Sequence, residues 1–321
     1  MKNLFLTIGI VAAVQATAVS QSNVSSLNSP LVKSYYEKEE GRFHGEYVSW
    51  HKNGVKKAEG EFDNNNRVGK WSVWDTAGNL VVERIYENNF RFKQTVPTEF
   101  ESGFTGVYFC SETFELKGYN YFSLEAKQVV FSSLLWREIL PEDNPILFED
   151  NLFLRTLIAA MNSGSLLAYT DEFVSEKNNA KIDNLNNFKL HSIKLKEQYV
   201  FDNQRNIGEF YIICFSPVMV NTATNDTITN YWFYFPEAIP VLTKARLPRQ
   251  FANTSNNLIG RDLGSLLFYR YFYGTITQWE HKRRFHNYGN IAPEQESDLI
   301  EAHLIDLEHN LWVESAKSVK K

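Results

Sequence analysis

Two groups of carboxylates are the first residues in this chain whose types could do chemistry: Glu138, Glu142 and Asp143 in one stretch, Asp171 and Glu172 in another. A glycosidase needs two such groups about 5 to 10 Å apart across the scissile bond, and spacing along a chain does not fix that distance. A hydrolase with an unrecognised carboxylate pair therefore stays open as a reading. The "PEDNP" around the first group is turn chemistry, which favours a solvated loop. Metal chemistry would need clustered His, Cys or acidic side chains. His281 and His286 are five apart and His303 and His309 six apart, whereas a same-face pair on a helix wants four. His303 falls on an apolar stripe and reads as a partly buried packing residue. The chain holds no G-x-S-x-G, H-E-x-x-H, C-x-x-C or G-x-x-x-x-G-K, so no catalytic, metal or cofactor site is expected. Arg205 in "DNQRN" and the run "EHKRR" could meet an anion, or sit at the charged rim of an interface. Cys110 in "VYFCSE" and Cys214 in "YIICFSP" could form one disulfide in an exported chain, or lie as two separately buried thiols.

The elements that must carry these residues start with an address. The opening "MKNLFLTIGIVAAVQATAVSQS" has Lys2, an apolar run from Leu4 to about Val14, and small residues at Ala16, Ala18 and Ser20. This predicts a cleavable secretory signal over 1–20. The run is shorter than the roughly 18 to 20 residues that span a bilayer, and no later stretch comes closer, so a soluble exported protein is expected. No Cys follows the run, which leaves no residue for a lipid-modified N-terminus. The net charge is −5, and loss of Lys2 leaves 32 basic against 38 acidic residues, or −6. An acidic balance without a basic run argues against nucleic acid as a partner. Aromatic residues make up 15%, with 16 Tyr and 24 Phe; they suit a filled sheet core or the centre of a subunit contact.

Residues 21–40 are polar and rich in Ser and Asn, and read as a flexible leader. A repeat follows over 41–92. Gly45 aligns with Gly69, Tyr47 with Trp71, Trp50 with Trp74, Gly54 with Gly78, Glu59 with Glu83 and Phe62 with Tyr86, each pair 24 residues apart. A fixed period in the twenties marks a repeated supersecondary unit, here strand, Gly turn, strand. These units resemble MORN-type repeats, and a hairpin stack is the role expected of them, since no basic cluster lines the strands for lipid. Residues 93–127 read as a connector with short strands. From 128 the chain mixes elements: a helix from Asp150 to a stop at Gly164, strands at about 192–201, 207–220 and 230–235, and a helix over 261–274. An acidic amphipathic helix is predicted over 294–313, within a C-terminal segment 286–321. The fold class is α+β: N-terminal all-β hairpin repeats, then a mixed antiparallel sheet domain with packed helices.

Five stretches taken together carry a family resemblance: "LLWREILPEDNPILF", "LFLRTLIAAMNSGSLLAYTDEF", "EQYVFDNQRNIGEFYIICFSPV", "YWFYFPEAIPVLTKARL" and "RDLGSLLFYRYFYGTI". They are similar, in order and spacing, to the GldN/PorN family of the type IX secretion and gliding motility machinery, over about 128–285. The resemblance implies a non-enzymatic periplasmic ring component at the inner face of the outer membrane. Its implied partners are an outer-membrane-anchored lipoprotein ring subunit (GldK/PorK-like) and an inner-membrane motor subunit (GldM/PorM-like), with no cofactor. It places Tyr199, Phe201, Arg205, Trp232, Tyr234 and Glu237 on or beside the family strands as protein-binding candidates, although alternate residues of a strand must face inward. The "WREILPEDNP" segment is shorter than the family's usual Arg-led stretch. The hairpin repeats and the C-terminal helix fall outside the family pattern, which suggests a divergent paralogue. A second reading is a secreted envelope-binding module whose repeats contact lipid, peptidoglycan or a partner protein.

Overall fold

A computed structural model describes residues 23–28, 33–39, 42–88, 91–96, 100–101, 126–203, 206–247, 262–280 and 292–319. The signal segment, Cys110 and most of the connector lie outside these residues. The chain is α+β, with an N-terminal antiparallel meander followed by a second antiparallel sheet and its helices.

The meander has eight strands in sequence order: β1 (Asn23–Asn28), β2 (Lys33–Glu39), β3 (Arg42–Trp50), β4 (Lys56–Asp63), β5 (Asn66–Trp74), β6 (Leu80–Asn88), β7 (Arg91–Val96) and β8 (Phe100–Glu101). The 24-residue repeat is visible in its geometry. Gly54 and Gly78 both turn at φ +84°, where only glycine is unstrained. Tyr47 and Trp71 are both fully buried, and Phe62 and Tyr86 are buried beside them. A Cβ on Gly60 would lie 2.1 Å from the Trp71 ring, so that strand can pass over the indole only as glycine. Two boundaries read from the sequence change. Residues 23–28 and 33–39, within the stretch expected as a flexible leader, pair as β1 and β2 onto β3, and the sheet continues past 92 through β7 and β8. Polar composition suggested a leader, but the open backbone edges of β3 and β6 supply hydrogen-bonding partners that composition does not reveal.

The second sheet is built from β9 (Val129–Ile139), β12 (Phe188–Asp202), β13 (Ile207–Asn221), β14 (Thr227–Ile228) and β16 (Thr275–Trp279), in the order β14-β13-β12-β9-β16, with β15 (Phe233–Tyr234) also on β13. The pair β10 (Ala168–Tyr169) and β11 (Lys177–Asn178) forms a separate ribbon. One half of the inner face packs on α1 (Pro145–Phe148), α2 (Leu152–Asn162), α3 (Phe235–Leu242) and α4 (Leu263–Phe268) through Leu147, Phe153, Leu157, Ile193, Leu195, Phe215, Phe235 and Leu267. The strand expected over 230–235 is shortened to β15, because Pro236 in the first turn of α3 favours a helix start. The helix expected over 261–274 stops at Phe268. Arg270 takes φ +58° and turns the chain out of the helix.

The other half of that face, and one face of the meander, close on α5 (Pro293–Val319). Ile300 and Leu304 meet Leu135, Tyr199, Ile276 and Trp279. Ala302, Trp312 and Val313 meet Tyr47, Trp71, Tyr86 and Phe92, with Phe201 and Ile207 between. Helix α5 is thus apolar on more than one side, so its sequence stripe is wider than that of a helix with one dry face.

Candidate functional site

The inner face of β12 alternates apolar residues with one carboxylate, Glu197, which is completely buried. Its position opposite Leu135 puts it beside Arg137 of β9, another buried charge. Arg137 Nε donates to Glu197 Oε2 at 3.0 Å and Nη1 donates to Glu301 Oε1 of α5 at 2.9 Å and to the Gly274 carbonyl. Arg270 donates to the second Glu197 oxygen. Burial opposes charge on Glu197, yet Arg270 and Arg137 hold its carboxyl below the usual carboxylate range. Burial likewise opposes charge on Arg137, and Glu197 with Glu301 keeps it fully protonated. With both oxygens occupied by guanidinium groups, Glu197 is arranged to fix β9, β12, α5 and the turn after α4 relative to each other.

A second set of charges joins α5 to the meander. Lys57 of β4 pairs with Asp306 at 2.5 Å, and Arg67 of β5 pairs with Glu308, whose other oxygen accepts from the Gly208 amide of β13 at 3.1 Å. Trp312 lies between two cations, with Arg84 4.1 Å and Arg67 5.6 Å from its ring centre. His309, fully buried among Tyr47, Trp71 and Trp312, has neither ring nitrogen in a hydrogen bond. Burial, then Arg67, Lys57 and Arg84, push its pKa well below the usual histidine value.

The outer face carries a different feature. Trp136, Lys196, Cys214 and Tyr234 form one register row across β9, β12, β13 and β15, so their side chains share that face. The 170–176 loop lies over the row. Glu172 accepts from Trp136 Nε1 at 2.8 Å, and its carbonyl accepts from Cys214 Sγ at 3.3 Å and Lys196 Nζ at 3.4 Å. Asp171 accepts from the Phe173 amide at 2.8 Å and from Ser175 Oγ at 2.5 Å. Val174 sits at φ +57°, a strained conformation for a β-branched residue. This bonded and strained loop holds Phe173 outward at 73% exposure, with Lys196 Nζ 4.3 Å from its ring centre.

Of the six residues named from sequence as contact candidates, Trp232 and Tyr234 are half-buried and Glu237 is exposed, all beside this loop. Trp232 bridges the Tyr169 backbone, and the Tyr169 hydroxyl donates to Glu237 at 3.4 Å. Tyr199 and Phe201 are core residues at 3% and 1% exposure, because they share the inner face with Glu197. Arg205 lies outside the described residues. Cys214 is a buried free thiol whose pKa is pushed up to about 12 by burial. Glu138 accepts from Ser192 Oγ at 2.6 Å, and among the described residues no three His, Cys, Asp or Glu gather as metal ligands. Sequence reasoning missed Glu197, Arg137 and Arg270. The available signal was a charge at an inward position of each of two otherwise apolar strands.

No helix among the described residues is long and apolar enough to cross a membrane. A protein-family profile described as "Gliding motility associated protein GldN" matches residues 124–313, more than half of the chain. The match runs beyond 285 and takes in most of α5, so the C-terminal helix lies within the family's extent and is not an addition to it. No curated protein matches the chain.

Proposed function

The chain belongs to the GldN family, which ties it to gliding motility and type IX secretion, and we propose that it serves there as a non-enzymatic periplasmic assembly component. The observation that carries this reading is the outer-face loop. It accepts backbone strain at Val174 and commits Asp171 and Glu172 to hydrogen bonds, and its outcome is an aromatic side chain held in water. Aromatic side chains are enriched at the centres of protein contacts, with charge at their rims. The buried ion network supports the same reading, since it ties the second sheet to α5 and to the turn after α4 and commits both Glu197 oxygens to guanidinium groups.

In this proposal the partners are an outer-membrane-anchored lipoprotein ring subunit of the GldK/PorK type and an inner-membrane motor subunit of the GldM/PorM type. The hairpin repeats, which we read as MORN-type, act as a docked module and not as a separate lipid binder. Gentle detergent extraction of a tagged chain, followed by size exclusion and cross-linking mass spectrometry, tests this. Co-elution with both subunits in a large complex is the expected result. A chain that elutes alone, or sediments only with peptidoglycan or lipid, refutes it.

A further inference from the structure

Helix α5 covers one face of the meander through Tyr47, Trp71 and Tyr86. On β3 the buried Tyr47 and Ser49 alternate with Glu46, Val48 and Trp50, and on β5 the buried Trp71 and Val73 alternate with Ser72 and Trp74, so Trp50 and Trp74 belong to the opposite, outer face. Each comes one residue after the register row of Ser49, Ala58 and Val73, which sets them level with each other, two strands apart. Adjacent strands lie about 4.8 Å apart, so the two side chains leave the sheet about 9.6 Å apart. Both are partly exposed. The turns beside them are tied together, since His51 Nε2 donates to the Trp74 carbonyl at 2.9 Å and Asn53 Nδ2 to the Thr76 carbonyl at 2.8 Å. Lys56 of β4 stands between the indoles, with Nζ 5.4 Å from the Trp74 ring centre and 2.5 Å from Glu59. An exposed pair of this kind contributes little, so Lys56 can leave the indole to another cation. Below this row Glu46 and Glu61 are exposed directly opposite one another in the β3–β4 register, and neither is in an ion pair among the described residues. Like charges directly opposite are destabilising, and a cation laid on this face would relieve them.

We propose that the outer face of the meander binds a proline-rich, basic segment of a partner protein, laid in polyproline II form across β3, β4 and β5. Polyproline II rises about 3.1 Å per residue with three residues per turn, so residues i and i+3 share one side about 9.3 Å apart, close to the spacing of the two indoles. Prolines at i and i+3 seat on Trp50 and Trp74, and an intervening Lys or Arg reaches Glu59, Glu61 and Glu46. Such segments dock on aromatic surfaces because the extended helix is already formed and little conformational entropy is lost. The chain itself does not supply the occupant, since no two of its nine prolines are three residues apart. The carboxylates of this face oppose an anionic glycan or an anionic lipid surface. The proposal goes beyond the assembly reading: the repeats lie outside the family match at 124–313, and the contact does not depend on the ring and motor subunits named above.

The test titrates the purified full chain into a fluorescein-labelled peptide of Pro-Pro-Lys repeats, followed by fluorescence polarisation, with a Gly-Ser-Lys repeat of the same length and charge as the comparison. The proline peptide should bind at least about tenfold more tightly than the Gly-Ser-Lys peptide, and Trp50→Ala and Trp74→Ala should each weaken it at least about tenfold. Glu46→Gln combined with Glu61→Gln should weaken binding at least about threefold and flatten its salt dependence, while raising the thermal stability of the free chain. Equal affinity for the two peptides would mean that charge alone attracts them and would overturn the proposal. So would no binding, or binding unchanged in either Trp variant. A hexamer of N-acetylglucosamine that binds in a Trp50-dependent and Trp74-dependent manner while the proline peptide does not would make the ligand a glycan and refute it as well. Circular dichroism checks each variant; if a Trp variant fails to fold, the comparison of peptides and the exposed Glu46 and Glu61 pair still decide. Either outcome leaves co-elution with the lipoprotein and motor subunits unaffected, so the two readings fall separately.

Discussion

Replacing Glu308 by glutamine removes one negative charge from the point where α5, the meander and the second sheet meet. In the wild type, the Arg67 and Glu308 side chains are 10% and 3% exposed, so the pair is held almost without water. Removing one partner of a buried pair costs about 3–5 kcal/mol, because the remaining charge is left uncompensated. The substituted amide has one acceptor where the carboxylate uses two, so either Arg67 or the Gly208 N–H is left facing an NH2 donor, and the full loss of about 3–5 kcal/mol is expected. For a chain of this size, with an unfolding entropy of about 2.1 cal/mol/K per residue, that corresponds to a fall in Tm of about 4–8 °C. Urea unfolding followed by tryptophan fluorescence is a suitable assay, since Trp71 and Trp312 both lie against Arg67. Replacing both partners, Arg67→Met with Glu308→Leu, should recover stability to within about 1 kcal/mol of the wild type. If Glu308→Gln alone lies within about 0.5 kcal/mol of the wild type, far short of the cost of a dry pair, the pair is hydrated in solution and the reasoning fails.

Acid should weaken the same junction through His309. Its folded pKa is depressed by burial and by Arg67, Lys57 and Arg84, so the unfolded chain binds the proton more readily. Stability from this group is complete above the unfolded value near 6.5 and falls as pH drops below it, by up to about 1.4 kcal/mol per pH unit. Glu308, beside it in sequence, and the nearby Asp306 are the acidic groups on α5 at this junction. Denaturation of His309→Phe against the wild type at pH 7 and pH 5 should show a smaller acid loss in the variant. Val174→Gly should stabilise the fold by about 1 kcal/mol through relief of the φ +57° conformation, measured by thermal unfolding. A destabilised variant would mean that the loop is not strained there. Cys214 should resist alkylation in the native chain at pH 8 and react rapidly in urea, because burial pushes its thiol up to about 12; rapid native labelling would contradict its burial.

Local periodicity made the meander legible. Each repeat places Gly54 or Gly78 at a turn and Tyr47 or Trp71 in the core, and these requirements act within one hairpin. The helix from Leu152 to Asn162 was equally clear, with its stop at Gly164 in the left-handed region. Its start was not, since Asn151 takes the N-cap position and uses its side chain to hold Phe188 and Leu190 of β12 instead of the helix end. The buried charges were illegible for a similar reason. Lys57 and Arg67 look like surface residues until Asp306 and Glu308, more than 240 positions later, arrive beside them. Trp232, Tyr234 and Glu237 were found near the outer-face loop by family strand position, whereas Phe173 gave no signal, because "TDEFVSEK" reads as an ordinary polar turn.

Because α5 supplies groups to both layers on either side of it, the order in which the polypeptide is made has a structural effect. Everything before Pro293 leaves the ribosome with Lys57, Arg67 and Arg137 still awaiting their counter-charges on α5 and with the faces around Trp71 and Tyr199 uncovered. Completion of the interior is therefore deferred until α5 has been made, and a nascent or truncated product without it remains open, a natural substrate for chaperones and proteases until that helix is in place.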